Sequence, residues 1–107
     1  MRKLTALILA LMMVAGLAAV AQAADLSGQT YAIITKSAGN PYNEREASGF
    51  EEVIKAAGAN VIVKHPAQIT AEAQITLINE LVAQKVTGIA VAGNDFDALE
   101  TALKAAM

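Results

Sequence analysis

The sequence predicts an α/β domain in which a parallel sheet alternates with helices in the order βαβαβα. Three short apolar runs have the composition of strands that are buried on both faces, and a stretch with helical periodicity follows each run. The connections between these segments are short. Because right-handed crossovers place helices against both faces of such a sheet, we expect three layers. The predicted strands are Tyr31–Ile34, Val61–Val63 and Ile89–Ala92.

The first predicted helix runs from Pro41 to about Ala57. Asn40 has a side chain suited to an N-cap, and proline is favoured at the first helical position. Gly58 fits the end of the helix, where a left-handed residue is common. Apolar residues at helical spacing predict the face that packs on the sheet. They are Ala47, Phe50, Ile54 and Ala57.

The second and third helices have comparable start signals. Thr70 is placed to cap the second helix, and Glu72 puts a negative charge in its first turn, where the helix dipole favours it. The third helix begins after Asn94 and Asp95, and capping explains Asp95. Apolar spacing again predicts the buried faces. The expected buried residues are Ile75, Ile78, Leu81 and Val82 in the second helix, and Leu99, Leu103 and Ala106 in the third.

Residues 1–23 have the pattern of a secretory signal peptide. Met1–Lys3 is positively charged, Leu4–Val20 is apolar except for Thr5 and Gly16, and Ala21–Ala23 offers small residues for a signal peptidase. The alternative is a permanent membrane anchor, but an apolar run of about 17 residues is at the lower limit for spanning a bilayer. We therefore expect cleavage near Ala24 and a periplasmic product.

Composition excludes several classes of function for the rest of the chain. The 107 residues include eight basic and ten acidic side chains, and two of the basic ones lie in the leader. An acidic body does not suit nucleic-acid binding, which needs a basic face. The chain has no cysteine and one histidine, so disulfides, thiolate metal sites and multi-histidine metal sites are excluded. The glycines do not form G-x-G-x-x-G, so a dinucleotide site has no support. We expect no cofactor.

Ligands of open parallel sheets bind beyond the carboxyl ends of the strands, which here are followed by 36–43, 65–70 and 93–96. The first of these loops carries Lys36, Asn40, Tyr42 and Asn43 at the start of a helix. Amides and a cation can bind sugar hydroxyls, and an aromatic ring can pack on the apolar face of a sugar. The alternative fits these residues equally well: Asn40 is only a cap, Tyr42 packs on the protein, and Lys36 is solvated.

His65 and Asn94 follow the other two strands. His65 is interpreted as a partly exposed loop residue rather than a general base, because the sequence shows no partner for a catalytic triad. Asn94 is interpreted first as a turn residue, with ligand binding as the alternative.

Two long segments and the signal peptide together resemble the N-terminal part of periplasmic sugar-binding proteins of ABC transporters, of the ribose-binding type. The segments are "YAIITKSAGNPYNEREASGFEEVIKAAGANV" and "QITLINELVAQKVTGIAVAGNDFDALETAL". The lysine followed by G-N-P-aromatic, and the stretch "QITLIN", are most similar to the branch that binds rhamnose or autoinducer-2. The resemblance implies a type I fold of two α/β lobes that close on a sugar.

The resemblance also implies roles for individual residues. Lys36 and Asn40 would hydrogen-bond the sugar, and Tyr42 would stack on it. Asn43 stands where many members have a second aromatic residue, so stacking would be weaker there. Ala92 stands where ribose binders have asparagine, which disfavours ribose, and Asn94 in the next turn would compensate.

We expect residues 24–107 to form a partial N-terminal lobe, because the family's fourth strand, hinge and second lobe have no counterpart here. A sugar held by one lobe keeps much of its surface in water, so the 107-residue chain is expected to bind sugar weakly or not at all. The expected partners are a monosaccharide and, for the full-length protein, the inner-membrane permease. Two alternatives remain: a fragment of a secreted α/β enzyme, or a small interaction module with an open sheet edge.

Overall fold

The computed structural model describes residues 25–107, so the predicted signal peptide lies outside the described residues. Strands and helices alternate as predicted, and the α/β fold class is confirmed. The elements are β1 (Thr30–Ile34), α1 (Pro41–Ala56), β2 (Asn60–Lys64), α2 (Ala71–Ala83), β3 (Gly88–Val91) and α3 (Phe96–Ala106). Within residues 25–107, none of the helices combines the length and the apolar character that a membrane span requires.

The three strands form one parallel sheet with the order β2-β1-β3, so β1 lies at its centre. Ala32 of β1 is opposite Ile62 of β2 and Ile89 of β3, and Ile34 is opposite Lys64 and Val91. This register brings the carboxyl ends of all three strands to the same edge of the sheet. The loops that carry the predicted site residues therefore lie side by side.

Alternate residues of β1 face the two helical layers. Ala32 and Ile34 belong to a buried cluster that includes residues of α2 and α3, while Ile33 is buried outside that cluster. Helix α1 contacts β1 and β2. The period of two along the strand thus separates the two cores, and the predicted three-layer arrangement is confirmed.

Side-chain caps begin all three helices as the sequence predicts. Asn40 accepts a hydrogen bond from the Tyr42 N–H at 2.9 Å. Thr70 accepts one from the Ala73 N–H at 3.2 Å, and Asp95 accepts one from the Ala98 N–H at 3.1 Å. Each cap fixes the exit of the preceding loop, so the caps also shape the edge of the sheet where the loops lie.

The predicted buried faces of α2 and α3 need correction at two positions. Val82 is 41% exposed and Ala106 is exposed, whereas Gln74 on the same face of α2 is fully buried. Val82 lines an apolar groove of about 510 Å³ beside β3, together with residues such as Ile89 and Leu103. Within residues 25–107, the outer edge of β3 has no strand partner, and Val82 lies on this uncovered side.

Candidate functional site

The loop after β1 is held in place by backbone hydrogen bonds to the neighbouring strand and loop. The Thr35 N–H donates to the Lys64 carbonyl at 3.1 Å, which extends the ladder beyond β1 by one residue. The Ala38 N–H donates to the Pro66 carbonyl at 2.7 Å. Gly39 has φ +75°, a conformation that glycine adopts without steric cost, and lets the chain turn back into α1. The loop that carries the predicted ligand residues therefore has a defined path.

Gln74, on the first turn of α2, links the ends of β1 and β3. Its Nε2 donates to the carbonyls of Thr35 at 3.0 Å and Ala92 at 2.8 Å. Its Oε1 accepts from the Asn94 N–H at 2.9 Å. The side chain is fully buried, and three polar backbone groups of two loops depend on it. Gln74 was not among the predicted site residues, although a polar residue on the apolar face of a helix was a signal that pointed to it.

A cleft of about 390 Å³ opens beside these loops. Four of the five predicted ligand residues line it: Lys36, Asn40, Tyr42 and Asn43. The cleft is also lined by Ser37, Glu46, Ile69 and Ala92, and neither Glu46 nor Ile69 was among the residues singled out in the sequence. The volume is within the range of small-molecule sites, roughly 300–1,000 Å³.

The cleft has polar groups on one part of its lining and apolar groups on another. Tyr42 is 75% exposed, so its ring is accessible to a ligand. The Asn40 cap uses Oδ1, which leaves Nδ2 as the donor that a ligand can reach. Lys36 and Glu46 bring opposite charges to the same cleft, and Ile69, 70% exposed, brings an apolar side chain. Such a mixture suits a neutral ligand that has both hydroxyl groups and C–H surface.

Asn43 and Asn94 hold the first loop from two sides. Asn43 is buried, and its Nδ2 donates to the Ser37 carbonyl at 2.9 Å and lies 3.3 Å from Ser37 Oγ. The Nδ2 of Asn94 donates to the Lys36 carbonyl at 3.0 Å. Asn94 is not among the residues that line the cleft. The structure thus brings four predicted residues together around the cleft, whereas Asn94 contacts the backbone of Lys36 and does not line the cleft.

His65 contacts two side chains that the sequence could not connect to it. Its Nδ1 lies 2.7 Å from Thr35 Oγ1, and its Nε2 lies 3.5 Å from Glu44 Oε2. A hydroxyl, an imidazole and a carboxylate thus follow one another in the order found in a catalytic triad. However, Thr35 is fully buried, so its hydroxyl has no path to a substrate in this arrangement. Within the described part of the chain, no three His, Asp or Glu side chains are placed to hold a metal ion.

A family model described as a periplasmic binding protein domain matches residues 31–107. This chain belongs to that family. The resemblance identified in the sequence is therefore confirmed, and the alternation of strands and helices is that of a periplasmic binding protein domain. A search of curated proteins finds no match.

Solved structures give more specific neighbours for this periplasmic binding protein domain. An ABC transporter solute-binding protein from Clostridium phytofermentas, with bound L-rhamnose, is 51% identical, with a TM-score of 0.74. LsrB from Clostridium saccharobutylicum, in complex with AI-2, is 26% identical, with a TM-score of 0.57. A solute-binding protein from Burkholderia graminis, in complex with D-arabinose, is 24% identical, with a TM-score of 0.69, and supports the fold alone.

The matches cover most of this chain but a small part of each neighbour. The shared region is 77% of this chain and 25% of the Clostridium phytofermentas protein, and 72% of this chain and 24% of LsrB. For the Burkholderia graminis protein the shares are 77% and 28%. The chain thus spans about a quarter of the length of the solved proteins that it matches.

Proposed function

We propose that this chain is part of the sugar-binding component of an ABC transporter for carbohydrate uptake, with rhamnose or a related monosaccharide as ligand. The observation that carries the proposal is the 51% identity to a solute-binding protein with bound L-rhamnose. The position of the cleft supports it, because the cleft lies where open parallel sheets bind ligands. In this proposal the protein binds its ligand without chemical conversion, and no residue is assigned a catalytic role.

The cellular context belongs to the same proposal. Residues 1–23 act as a cleavable signal peptide, the product is periplasmic, and residues 24–107 form part of an N-terminal lobe. The partner of the full-length protein is the permease in the inner membrane. Family membership supports this context, and N-terminal sequencing of the exported protein would test it directly.

The lining of the cleft fits a deoxy sugar. Lys36 Nζ and Asn40 Nδ2 donate to ring hydroxyls, and the ring of Tyr42 covers the C–H face of the sugar. A methyl group on the sugar needs an apolar contact, which Ile69 and Ala92 provide. Asn43 and Asn94 contribute by holding the backbone of the loop, and Asn43 also lines the cleft.

The first test compares two sugars that differ at one group. L-rhamnose carries a methyl group where L-mannose carries a hydroxymethyl group. We expect L-rhamnose at millimolar concentrations to shift the NMR signals of cleft residues in the 107-residue chain, with saturation, and L-mannose to shift them less. Binding is weak because one lobe contacts only part of the sugar. Because one lobe is expected to bind sugar weakly or not at all, the result that contradicts the proposal is a larger saturable shift of the Ser37, Asn40 and Ala92 amides with L-mannose or another monosaccharide than with L-rhamnose.

The Tyr42 ring provides a second test within the same experiment. Tyr42→Ala is expected to weaken L-rhamnose binding about tenfold, because the apolar face of the sugar then stays in water. Tyr42→Phe is the matched control: it keeps the ring, and we expect an affinity within about twofold of the original. Because Tyr42 is 75% exposed, both variants should fold normally. Equal losses in the two variants would show that the hydroxyl, rather than the ring surface, contacts the ligand.

A further inference from the structure

His65 lies behind the cleft, between the end of β1 and helix α1. It is the only histidine among the 107 residues. Its side chain is 22% exposed, while Thr35 beside Nδ1 is fully buried, so that side of the ring is shielded from water. Glu44, beside Nε2, is 59% exposed. Both ring nitrogens therefore face a polar partner inside the protein.

The Thr35 hydroxyl has one proton and two acceptors within reach. They are His65 Nδ1 at 2.7 Å and the Ser37 carbonyl at 3.4 Å. When the imidazole is neutral and carries its proton on Nε2, Nδ1 accepts the hydroxyl proton at the shorter distance. When the imidazole is protonated, Nδ1–H donates to Thr35 Oγ1, and the hydroxyl must turn its proton to the Ser37 carbonyl. Protonation of His65 thus redirects one hydrogen bond.

The Ser37 carbonyl is part of the framework of the cleft. It also accepts from Asn43 Nδ2 at 2.9 Å, and both residues line the cleft. With protonated His65, this carbonyl has two donors, and Nε2–H faces the Glu44 carboxylate. With neutral His65, the carbonyl keeps the Asn43 donor alone. The loop is therefore held more firmly when His65 is charged.

We propose that His65 is a positioning residue that couples proton uptake to sugar binding, by directing the Thr35 hydroxyl toward or away from the Ser37 carbonyl. The proposal rests on the proposed function and adds a form of regulation to the same cleft. Affinity for L-rhamnose is about threefold higher when His65 is protonated than when it is neutral, a change comparable to one weak hydrogen bond.

Four other charged side chains lie around His65 and the cleft. Glu44 of α1 faces the ring, Lys64 precedes it in β2, and Lys36 and Glu46 lie at the cleft. At the start of the described region, the hydrogen bonds from the Ser27 hydroxyl and backbone N–H to Asp25 hold the pKa of that carboxyl below its usual range.

An NMR pH titration of the 107-residue chain tests the coupling without any sugar. We expect the Asn43 side-chain amide and the Ala38 backbone amide to follow the titration curve of the His65 ring with the same midpoint. His65→Gln keeps a neutral hydrogen-bonding side chain and should abolish this step at both amides. Thr35→Val keeps the side-chain shape but removes the hydroxyl, and should leave the ring titration while removing the response of Asn43. If the NMR signals of these two amides do not change with the His65 ring signal in the original chain, the proposal is wrong.

L-rhamnose titrations at two pH values, one below and one above the midpoint measured for the His65 ring, test the effect on binding. The original chain should show the threefold difference, and His65→Gln should show equal affinities at the two values. Equal affinities in the original chain would overturn the coupling to sugar binding even if the amides respond. If no sugar binds this partial lobe at either pH, the amide titration alone decides whether His65 controls the loop, and the proposed function is tested separately by the choice between L-rhamnose and other sugars.

Discussion

Leu99→Ala is expected to lower the free energy of unfolding by about 3 kcal/mol. Leu99 is the buried residue of α3, with no exposed surface, and it packs in the cluster that contains Ile34, Ile78 and Leu81. Truncation to alanine removes three carbon atoms and leaves a cavity between α3, α2 and the sheet. Because this side chain makes the main buried contact of α3, the surroundings have little means to fill the space.

The effect of Leu99→Ala should also reach the loop after β3. A Cβ atom added at Gly93 would lie 3.1 Å from Leu99 Cδ1, so the backbone of this turn already lies close to the leucine. Asn94, which donates to the Lys36 carbonyl, follows directly. Loss of Leu99 therefore removes support from one side of the candidate site as well as from the core.

Urea denaturation followed by circular dichroism measures this loss. Leu103→Ala is the matched control, because Leu103 is on the same helix but only partly buried, and we expect a loss of about 1 kcal/mol. An equal or larger loss for Leu103→Ala would mean that α3 is held along the groove beside β3 rather than by the Leu99 cluster.

Much of the fold could be predicted because its signals are local. The strands are short apolar runs, and the caps at Asn40, Thr70 and Asp95 depend on side chains that lie within three residues of the N–H groups they accept from. The parallel order follows from the alternation of elements and the handedness of crossovers. Val82 was predicted wrongly because helical periodicity identifies an apolar face but does not show which neighbours cover it.

The candidate site could be predicted only in part, because its organisation depends on contacts between distant residues. The strand ends indicate where a ligand binds, and four of the predicted residues do surround one cleft. The orientation of Asn94 toward the Lys36 carbonyl joins positions 58 residues apart, and His65 and Thr35 are 30 apart. Sequence spacing contains no information on such pairs unless the register of the sheet is known.

Gln74→Leu is expected to lower the free energy of unfolding by about 4 kcal/mol and to abolish detectable sugar binding. Leucine has a similar size but cannot form hydrogen bonds. The substitution therefore removes the donor to the Thr35 and Ala92 carbonyls and the acceptor for the Asn94 N–H. Each buried polar group left without a partner costs about 1–3 kcal/mol. Leucine recovers part of this loss because it buries more apolar surface at the same position.

Two further variants separate the hydrogen bonds of Gln74 from its volume. Gln84→Leu makes the same change at an exposed position at the end of α2, and we expect its effect to stay within about 0.5 kcal/mol.

Gln74→Glu keeps an acceptor for the Asn94 N–H, but as a carboxylate it has no proton to donate to the two carbonyls. It should therefore be destabilised nearly as much as Gln74→Leu. If Gln74→Glu instead retains the original stability, the two donated hydrogen bonds do not hold the strand ends together. If stability is lost as expected, one buried amide on α2 determines how the loops after β1 and β3 are placed relative to each other, and hence the shape of the cleft between them.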